Sequence, residues 1–118
     1  RSHRSSGANS KRMITITIQA IEYGIVFLMA QWSGGAKWAY GQLLPAMEQR
    51  GIPVKQLHVF DVDLHSGLYD MPELTGRIHG WGETAVVRGG KIVFVTVLGE
   101  DKSRIEENCD ELFKAYDS

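Results

Sequence analysis

The sequence predicts a single α/β domain in which a central mixed β-sheet is flanked by helices. Three observations support this prediction: an apolar run typical of a buried strand at 24–30, a helical stripe of apolar residues after it, and two β-rich runs separated by a pair of glycines. A strand that is apolar throughout needs cover on both faces, as α/β domains provide. The 118 residues suit one domain, which can bury a core without a metal or a disulfide.

Composition excludes several classes of function. Thirteen basic and fourteen acidic side chains give a formal charge of −1, so the chain lacks the broad positive field of a nucleic-acid binder or of a protein held at an anionic membrane. No apolar run reaches the ~20 residues that span a bilayer, and the first residues given lack the charged, apolar and small-residue segments of a signal peptide. The single Cys109 excludes an intrachain disulfide and suits a reducing compartment. We therefore expect a cytoplasmic protein that binds neither nucleic acid nor membrane.

Residues 1–12 differ in composition from the rest of the chain. Their one apolar side chain is Ala8, so burial cannot offset the entropy lost on ordering them. They predict a flexible tail, either native or derived from a vector, that precedes a domain at 13–118. A nucleic-acid-binding arm is the alternative function for this stretch of arginine and serine.

The first half of the domain predicts two strands and a long helix. Ile14, Ile16 and Ile18 alternate with threonines, which predicts a strand with one buried face. A short helical connection then leads to the central strand at 24–30, and residues 31–37 form a glycine turn that opens the long helix. The apolar residues of that helix fall at helical spacing and define one stripe: Ala36, Ala39, Tyr40, Leu43, Leu44 and Met47.

The second half predicts a strand at 57–62, a short helix at 68–74, a hairpin and a final helix. The hairpin strands at 83–88 and 91–97 flank a glycine pair, which makes the sheet mixed. The final helix begins near Ser103, which forms a capping box with Glu106. Its inner stripe consists of Ile105, Cys109, Leu112, Phe113 and Tyr116. The predicted order of elements is β-α-β-α-β-α-β-β-α.

Three segments resemble the thioredoxin family. Residues 26–37, Val-Phe-Leu-Met-Ala-Gln-Trp-Ser-Gly-Gly-Ala-Lys, are similar to the strand and active-site turn that carries Trp-Cys-Gly-Pro-Cys-Lys in the family. Residues 78–84 resemble the family's loop that ends in Gly-Ile-Pro-Thr with a cis proline. Residues 87–91 resemble the family's hairpin, in which a strand, a glycine turn and a second strand follow one another. The resemblance covers about residues 24–116 and implies a thioredoxin-like fold.

The departures from the family pattern concern its redox chemistry. Ser33 and Ala36 occupy the positions of the two cysteines, and Gly35 and Gly82 replace the intervening proline and the cis proline. Phe27 lies on the strand where many members carry a buried acidic residue. Disulfide exchange needs one thiolate to attack and a second thiol to resolve the mixed disulfide, so the resemblance implies a redox-inactive member. Engineered replacement of two cysteines is an alternative explanation, which the changes at 27, 35 and 82 disfavour.

The three tryptophans suggest a binding surface. Helical periodicity directs Trp38 away from the core stripe, and the resemblance places Trp32 and Trp81 on two sides of the groove that receives an extended peptide in thioredoxins. We therefore expect a protein- or peptide-binding module that has no cofactor and no catalytic residue. The alternative is that Trp32 and Trp81 pack beneath the loops. The expected binding residues are Trp32, Ser33, Gly34, Gly35, Lys37, Trp38, Trp81 and Gly82.

The same turn allows a second function. Residues 33–35 precede a helix start, where free N–H groups and nearby Lys37 could bind an anion such as a phosphate or glutathione. An enzyme of transferase or hydrolase type could then use Ser33 or the bound ligand. The sequence shows no adjacent base that would activate the Ser33 hydroxyl.

Two further groups of residues are expected to have structural roles. His58, Asp61, Asp63 and His65 resemble a metal-binding cluster, but strand alternation directs His58 away from the other three, so we predict no metal site. Cys109 shares the apolar stripe of the last helix, which predicts a small buried side chain rather than a reactive thiol.

Overall fold

The computed structural model describes residues 13–118, and the tail predicted at 1–12 lies outside this range. The helices and strands, in chain order, are α1 (13–19), β1 (Tyr23–Met29), α2 (Gly34–Gln49), β2 (Leu57–Asp61), β3 (Glu83–Arg88), β4 (Lys91–Val97) and α3 (Ile105–Asp117). Short 3-10 helices lie at Val54–Gln56, Ser66–Asp70 and Lys102–Arg104.

The four strands form one mixed sheet in the order β2-β1-β3-β4. Strand β1 pairs in parallel with β2, where Ile25 lies opposite Leu57, and antiparallel with β3, where Phe27 lies opposite Thr84. Strands β3 and β4 form the predicted antiparallel hairpin. All residues of β1 except Tyr23 are buried, which confirms the prediction of a central strand covered on both faces.

The strand directions bring four connecting segments to one edge of the sheet. Because β1, β2 and β4 run one way and β3 runs the other, the segments that follow β1, β2 and β4 meet the segment that precedes β3. Backbone hydrogen bonds join these segments: Val62 N–H donates to Met29 O at 3.0 Å, Leu98 N–H donates to Gly82 O at 3.1 Å, and Gly99 N–H donates to Trp81 O at 2.7 Å. The candidate site lies at this edge.

Helices α2 and α3 pack on the same face of the sheet. The Phe27 ring lies 5.3 Å from the Tyr40 ring of α2, and Tyr23, four residues earlier and therefore on the same face, stacks on Tyr116 of α3 at 4.4 Å. The predicted stripes supply the buried residues of both helices. Burial of these apolar side chains is the main source of stability for this half of the core.

The prediction of a strand through Ile14, Ile16 and Ile18 is wrong, because residues 13–19 form helix α1. Ile14 and Ile18 are buried, whereas Ile16 is 53% exposed. A strand would direct all three isoleucines to one face, but a helix brings together residues three or four apart, which of these three are only Ile14 and Ile18. The spacing of 14 and 18 satisfies both patterns, and packing of these two side chains overrides the strand preference of β-branched residues.

The helix predicted at 68–74 is shorter and of a different type. A 3-10 helix covers Ser66–Asp70 and is followed by turns, in which Met71 is extended at φ −73° and ψ 129°. Pro72 explains this early end, because a proline disfavours the helical conformation of the residue before it. Leu68 and Leu74 are nevertheless buried, so the segment still covers the core.

The capping box predicted for Ser103 and Glu106 does not form. Asp101 lies two residues further upstream, and its Oδ1 accepts hydrogen bonds from the Ser103 N–H at 3.0 Å and the Ser103 hydroxyl at 2.6 Å. These bonds cap the 3-10 helix Lys102–Arg104, from which α3 continues at Ile105. Sequence spacing identified the start of the last helix but selected the wrong capping side chain.

Candidate functional site

The turn between β1 and α2 and the first turn of the helix contain five of the expected binding residues: Trp32, Ser33, Gly34, Gly35 and Lys37. Ser33 is the N-cap of α2, and its Oγ accepts a hydrogen bond from the Ala36 N–H at 3.3 Å. Gly34 and Lys37 are exposed in the first turn of the helix. The glycine turn therefore opens the helix as the sequence predicts, because the serine satisfies an N–H group that has no partner within the helix.

The loop at 79–82 packs against this turn. A Cβ atom on Gly35 would lie 2.6 Å from Trp81 Cε3, and one on Gly80 would lie 2.5 Å from Trp32 Cη2. Each indole thus packs over a glycine of the opposite segment, at a distance that no side chain at the glycine would permit. The Ser33 hydroxyl also donates a hydrogen bond to Gly80 O. These three contacts fix the two tryptophans relative to each other.

Gly82 holds the end of the loop against α2. Its φ is +80°, and a Cβ atom there would lie 2.6 Å from the Ala39 Cβ and 3.4 Å from the Phe27 ring. No peptide bond among residues 13–118 is cis, so the loop makes its approach without the cis bond that the family has at this position. Both the conformation and the available space at 82 require glycine.

A buried carboxylate, which the sequence analysis did not single out, secures the same loop. Glu83 is fully buried, and its Oε2 accepts hydrogen bonds from the His79 N–H at 2.9 Å and the Trp81 N–H at 3.3 Å. Its Oε1 has no hydrogen-bond partner. Two backbone donors on one carboxylate oxygen constrain the residues on both sides of Gly80.

The structure exposes two tryptophans and covers the third. Trp32 and Trp81 are 61% and 44% exposed, so neither packs beneath the loops. Trp38 is half-buried against the core, and Lys102 Nζ lies 5.0 Å from the centroid of its ring. Periodicity directed Trp38 away from the core stripe but could not show the lysine that covers it.

Two more large apolar side chains, both in the segment that follows β2, are exposed. Leu64 follows β2 at the same edge of the sheet and is exposed, and Tyr69 is also exposed. Burial is the largest cause of the raised pKa of Tyr69, followed by the negative charge of Asp63 and then that of Glu83. The Tyr69 hydroxyl therefore lies within the electrostatic field of both carboxylates. We call Trp32, Leu64, Tyr69 and Trp81 the loop-end surface.

The architecture is similar to that of solved thioredoxins. Oxidised mitochondrial thioredoxin 3 from Saccharomyces cerevisiae superposes with a TM-score of 0.58 at 15% identity, over 86% of this chain and 89% of that chain. The chain has a thioredoxin-like fold. Fasciola hepatica thioredoxin is also similar, with a TM-score of 0.55 at 15% identity over 82% of this chain and 86% of that chain. So is Plasmodium falciparum thioredoxin, with a TM-score of 0.55 at 18% identity over 83% of this chain and 89% of that chain. Neither protein-family models nor curated protein sequences give a match.

Within the thioredoxin-like fold, the Ser33 hydroxyl has a structural role. It donates to the Gly80 carbonyl and accepts from the Ala36 N–H. A carbonyl oxygen cannot remove the hydroxyl proton, so these contacts do not activate Ser33 as a nucleophile. The Trp81 indole also covers Gly35, in the turn where an anion would bind.

The single thiol of the chain is not at the site. Cys109 lies on α3 and is buried, as the sequence predicts. Burial is the largest cause of its raised pKa, followed by the negative charge of Asp110, while Arg50 acts in the opposite direction. A thiol with a raised pKa is mostly protonated and unreactive at neutral pH.

The residues considered for a metal site make other contacts. Asp61 Oδ1 accepts a hydrogen bond from the Asp63 N–H at 2.8 Å, and the His65 ring packs edge-on against Phe60 at 5.6 Å. Within the range 13–118, no group of three or more histidine, cysteine or acidic residues is placed to hold a metal. Over the same range, no helix has the length and apolar character needed to cross a membrane.

Proposed function

We propose that this chain is a redox-inactive thioredoxin-like module that binds a peptide segment of a partner protein through Trp32 and Trp81. The observation that carries the proposal is the exposure of both indoles on segments that face each other. Large exposed aromatic side chains are costly to leave in water, and tryptophan is enriched among the residues that dominate binding energy. Monomeric proteins rarely expose such groups side by side without a partner.

The rigidity of the two indoles supports this role. Gly35 and Gly80 each hold one indole ring in place, and the Ser33 hydroxyl ties the two segments together. Binding to side chains that are already ordered loses less conformational entropy than binding to mobile ones. The contacts around the former active-site turn therefore favour recognition over chemistry.

The proposed lack of redox activity rests on the position of the chain's single cysteine thiol. Neither Ser33 nor Ala36 supplies a thiol, and Cys109 is buried on α3. Adding the chain to a mixture of dithiothreitol and a model protein disulfide should leave the reduction rate unchanged. Catalytic acceleration above the rate without protein would contradict this part of the proposal.

Selection from a displayed library of random peptides tests the binding role. The immobilised chain should enrich a set of peptides, and the double variant Trp32→Ala, Trp81→Ala should lose that enrichment while its circular dichroism and unfolding transition show a folded protein. Val54→Ala is the matched control, because Val54 is exposed at the amino end of β2, away from the loop-end surface. Its enriched set should equal that of the unmodified chain.

Two results would overturn the proposed function. Equal enrichment by the double tryptophan variant would place binding on another surface. The absence of any enriched set, with a folded protein on the support, would show that the exposed indoles do not recognise peptides.

A further inference from the structure

The structure also indicates which peptides the surface accepts. Resting on the proposed function, we propose that the bound segment is basic and contains proline, and that its side chains rather than its backbone are recognised at the loop-end surface. Three observations carry this inference: the loop backbone is already hydrogen-bonded, the exposed apolar groups include two indoles, and the acidic Asp61 and Asp63 lie at the same edge of the sheet.

The backbone of the loop offers little to an incoming strand. The Trp81 N–H donates to Glu83 Oε2 at 3.3 Å, and Trp81 O accepts from the Gly99 N–H at 2.7 Å. Gly80 O accepts the hydrogen bond from Ser33. A peptide that binds by strand addition needs free N–H and C=O groups along the edge it joins. Because the Trp81 N–H already has a partner within the chain, strand pairing at Trp81 would require breaking its hydrogen bond to Glu83.

A proline-containing segment avoids that requirement. Proline has no backbone N–H, and a polyproline II segment has no internal hydrogen bonds to lose. Such segments bind to grooves lined by aromatic side chains. Trp32 and Trp81 present two exposed indoles whose positions are fixed by the glycines beneath them. The surface therefore fits a ligand that packs against rings rather than one that pairs with a strand.

The charge next to the indoles favours a basic ligand. Asp61 ends β2 and Asp63 follows it, and Glu83 begins β3 at the same edge of the sheet. Opposite charges on a ligand would steer it toward this side of the surface.

Two of these carboxylates lie close to residues of the loop-end surface. Glu83 binds the Trp81 N–H, and the pKa of Tyr69 is raised by burial first and then by Asp63 and Glu83. An arginine or lysine of the bound segment would therefore lie against the Tyr69 ring and the exposed Asp63 carboxylate.

The composition of the selected peptides is the first test. The set enriched by the unmodified chain, and lost by the double tryptophan variant, should contain more proline, lysine and arginine than the starting library. An enriched set that depends on Trp32 and Trp81 but shows no such bias would overturn this inference and leave the proposed function intact. The absence of any dependence on the tryptophans would overturn both.

Titration with synthetic peptides is the second test. The probes are a peptide of prolines and leucines flanked by arginines, and a twin with glutamates in place of the arginines. The arginine peptide should bind about tenfold more tightly, and Asp63→Asn should weaken its binding by about threefold, as expected for an exposed charge pair. Glu48→Gln, which alters an exposed carboxylate near the far end of α2, is the control and should leave both affinities unchanged. Equal binding of the two peptides would contradict the inference.

Other occupants of the surface would give different results. Self-association that rises with concentration and disappears in the double tryptophan variant would identify a second copy as the occupant. Binding of the arginine peptide only after Arg1, Arg4, Lys11 and Arg12 are replaced by serine would identify these basic residues of the chain itself as the occupant. Either result would overturn the assignment of the surface to a partner segment.

Discussion

Gly82 is the residue on which the position of the tryptophan loop most depends. It combines a left-handed backbone with a contact to Ala39 that leaves no room for a side chain. Gly82→Ala should reduce the free energy of unfolding by about 2–4 kcal/mol, because a left-handed alanine and an overpacked methyl each cost on the order of 1–2 kcal/mol. Urea unfolding measures the loss.

Gly34→Ala is the matched control for that substitution. A Cβ atom at 34 would meet nothing within 4 Å, and Gly34 is not among the glycines with positive φ. Its free energy of unfolding should stay within about 1 kcal/mol of the unmodified chain. Equal losses for the two variants would show that the conformation at 82 is not a special requirement.

Glu83 is the second residue that determines the shape of the loop. Glu83→Ala removes the acceptor of two backbone N–H groups and should reduce the free energy of unfolding by about 2–4 kcal/mol. Glu83→Gln keeps an acceptor oxygen and should lose less than half of that in the same urea experiment. Equal losses would show that the hydrogen bonds from His79 and Trp81 do not hold the loop.

At the scale of elements, helix α1 can be tested by comparing two isoleucines. Ile14 is 2% exposed and Ile16 is 53% exposed. Ile14→Ala should therefore cost about 2–4 kcal/mol in free energy of unfolding, and Ile16→Ala less than about 1 kcal/mol. A strand with both side chains on its buried face would make the two losses similar, so similar losses would contradict the helix.

The start of α3 should be sensitive to acid. The Ser103 hydroxyl is the largest cause of the lowered pKa of Asp101, and the Ser103 N–H is the next. A carboxylate whose pKa is lower in the folded state adds stability that is complete above its unfolded pKa of about 3.9 and is lost as the pH falls through the folded value. The melting temperature of Asp101→Ala should thus lie below that of the unmodified chain at pH 6.

The difference in melting temperature should shrink as the pH is lowered toward 3. Ser103→Ala removes the hydroxyl donor and should show a smaller difference with the same trend, because the Ser103 N–H bond remains. A difference that stays constant or grows in acid would show that the Asp101 carboxylate does not stabilise this helix start.

At the scale of the whole molecule, local apolar patterns were sufficient to predict most of the fold. The central strand, the stripe of α2 and the hairpin at Gly89–Gly90 follow from periodicity and turn chemistry, and both hairpin glycines have the positive φ that such a turn needs. The segment at 13–19 could not be assigned in this way, because the spacing of its buried isoleucines fits a strand and a helix equally well.

The site was less predictable because its contacts join segments distant in sequence. Burial of Glu83 depends on the path of the loop before it, and no pattern around position 83 distinguishes it from an exposed acid at the start of a strand. The pKa of Tyr69 is raised by burial and then by Asp63 and Glu83, and such effects arise only in the folded chain. The sequence indicated which tryptophans border the turn but not which of them remain exposed.

The central claim is that the chain acts through contact at Trp32 and Trp81. The three indole N–H signals in a nitrogen-labelled NMR spectrum report on it directly, because Trp38 is covered by Lys102 and serves as an internal reference. On titration with a peptide from the enriched set, the Trp32 and Trp81 signals should shift along one saturating curve while the Trp38 signal stays in place. Saturable binding that leaves Trp32 and Trp81 unshifted, or that moves Trp38 alone, would contradict the account.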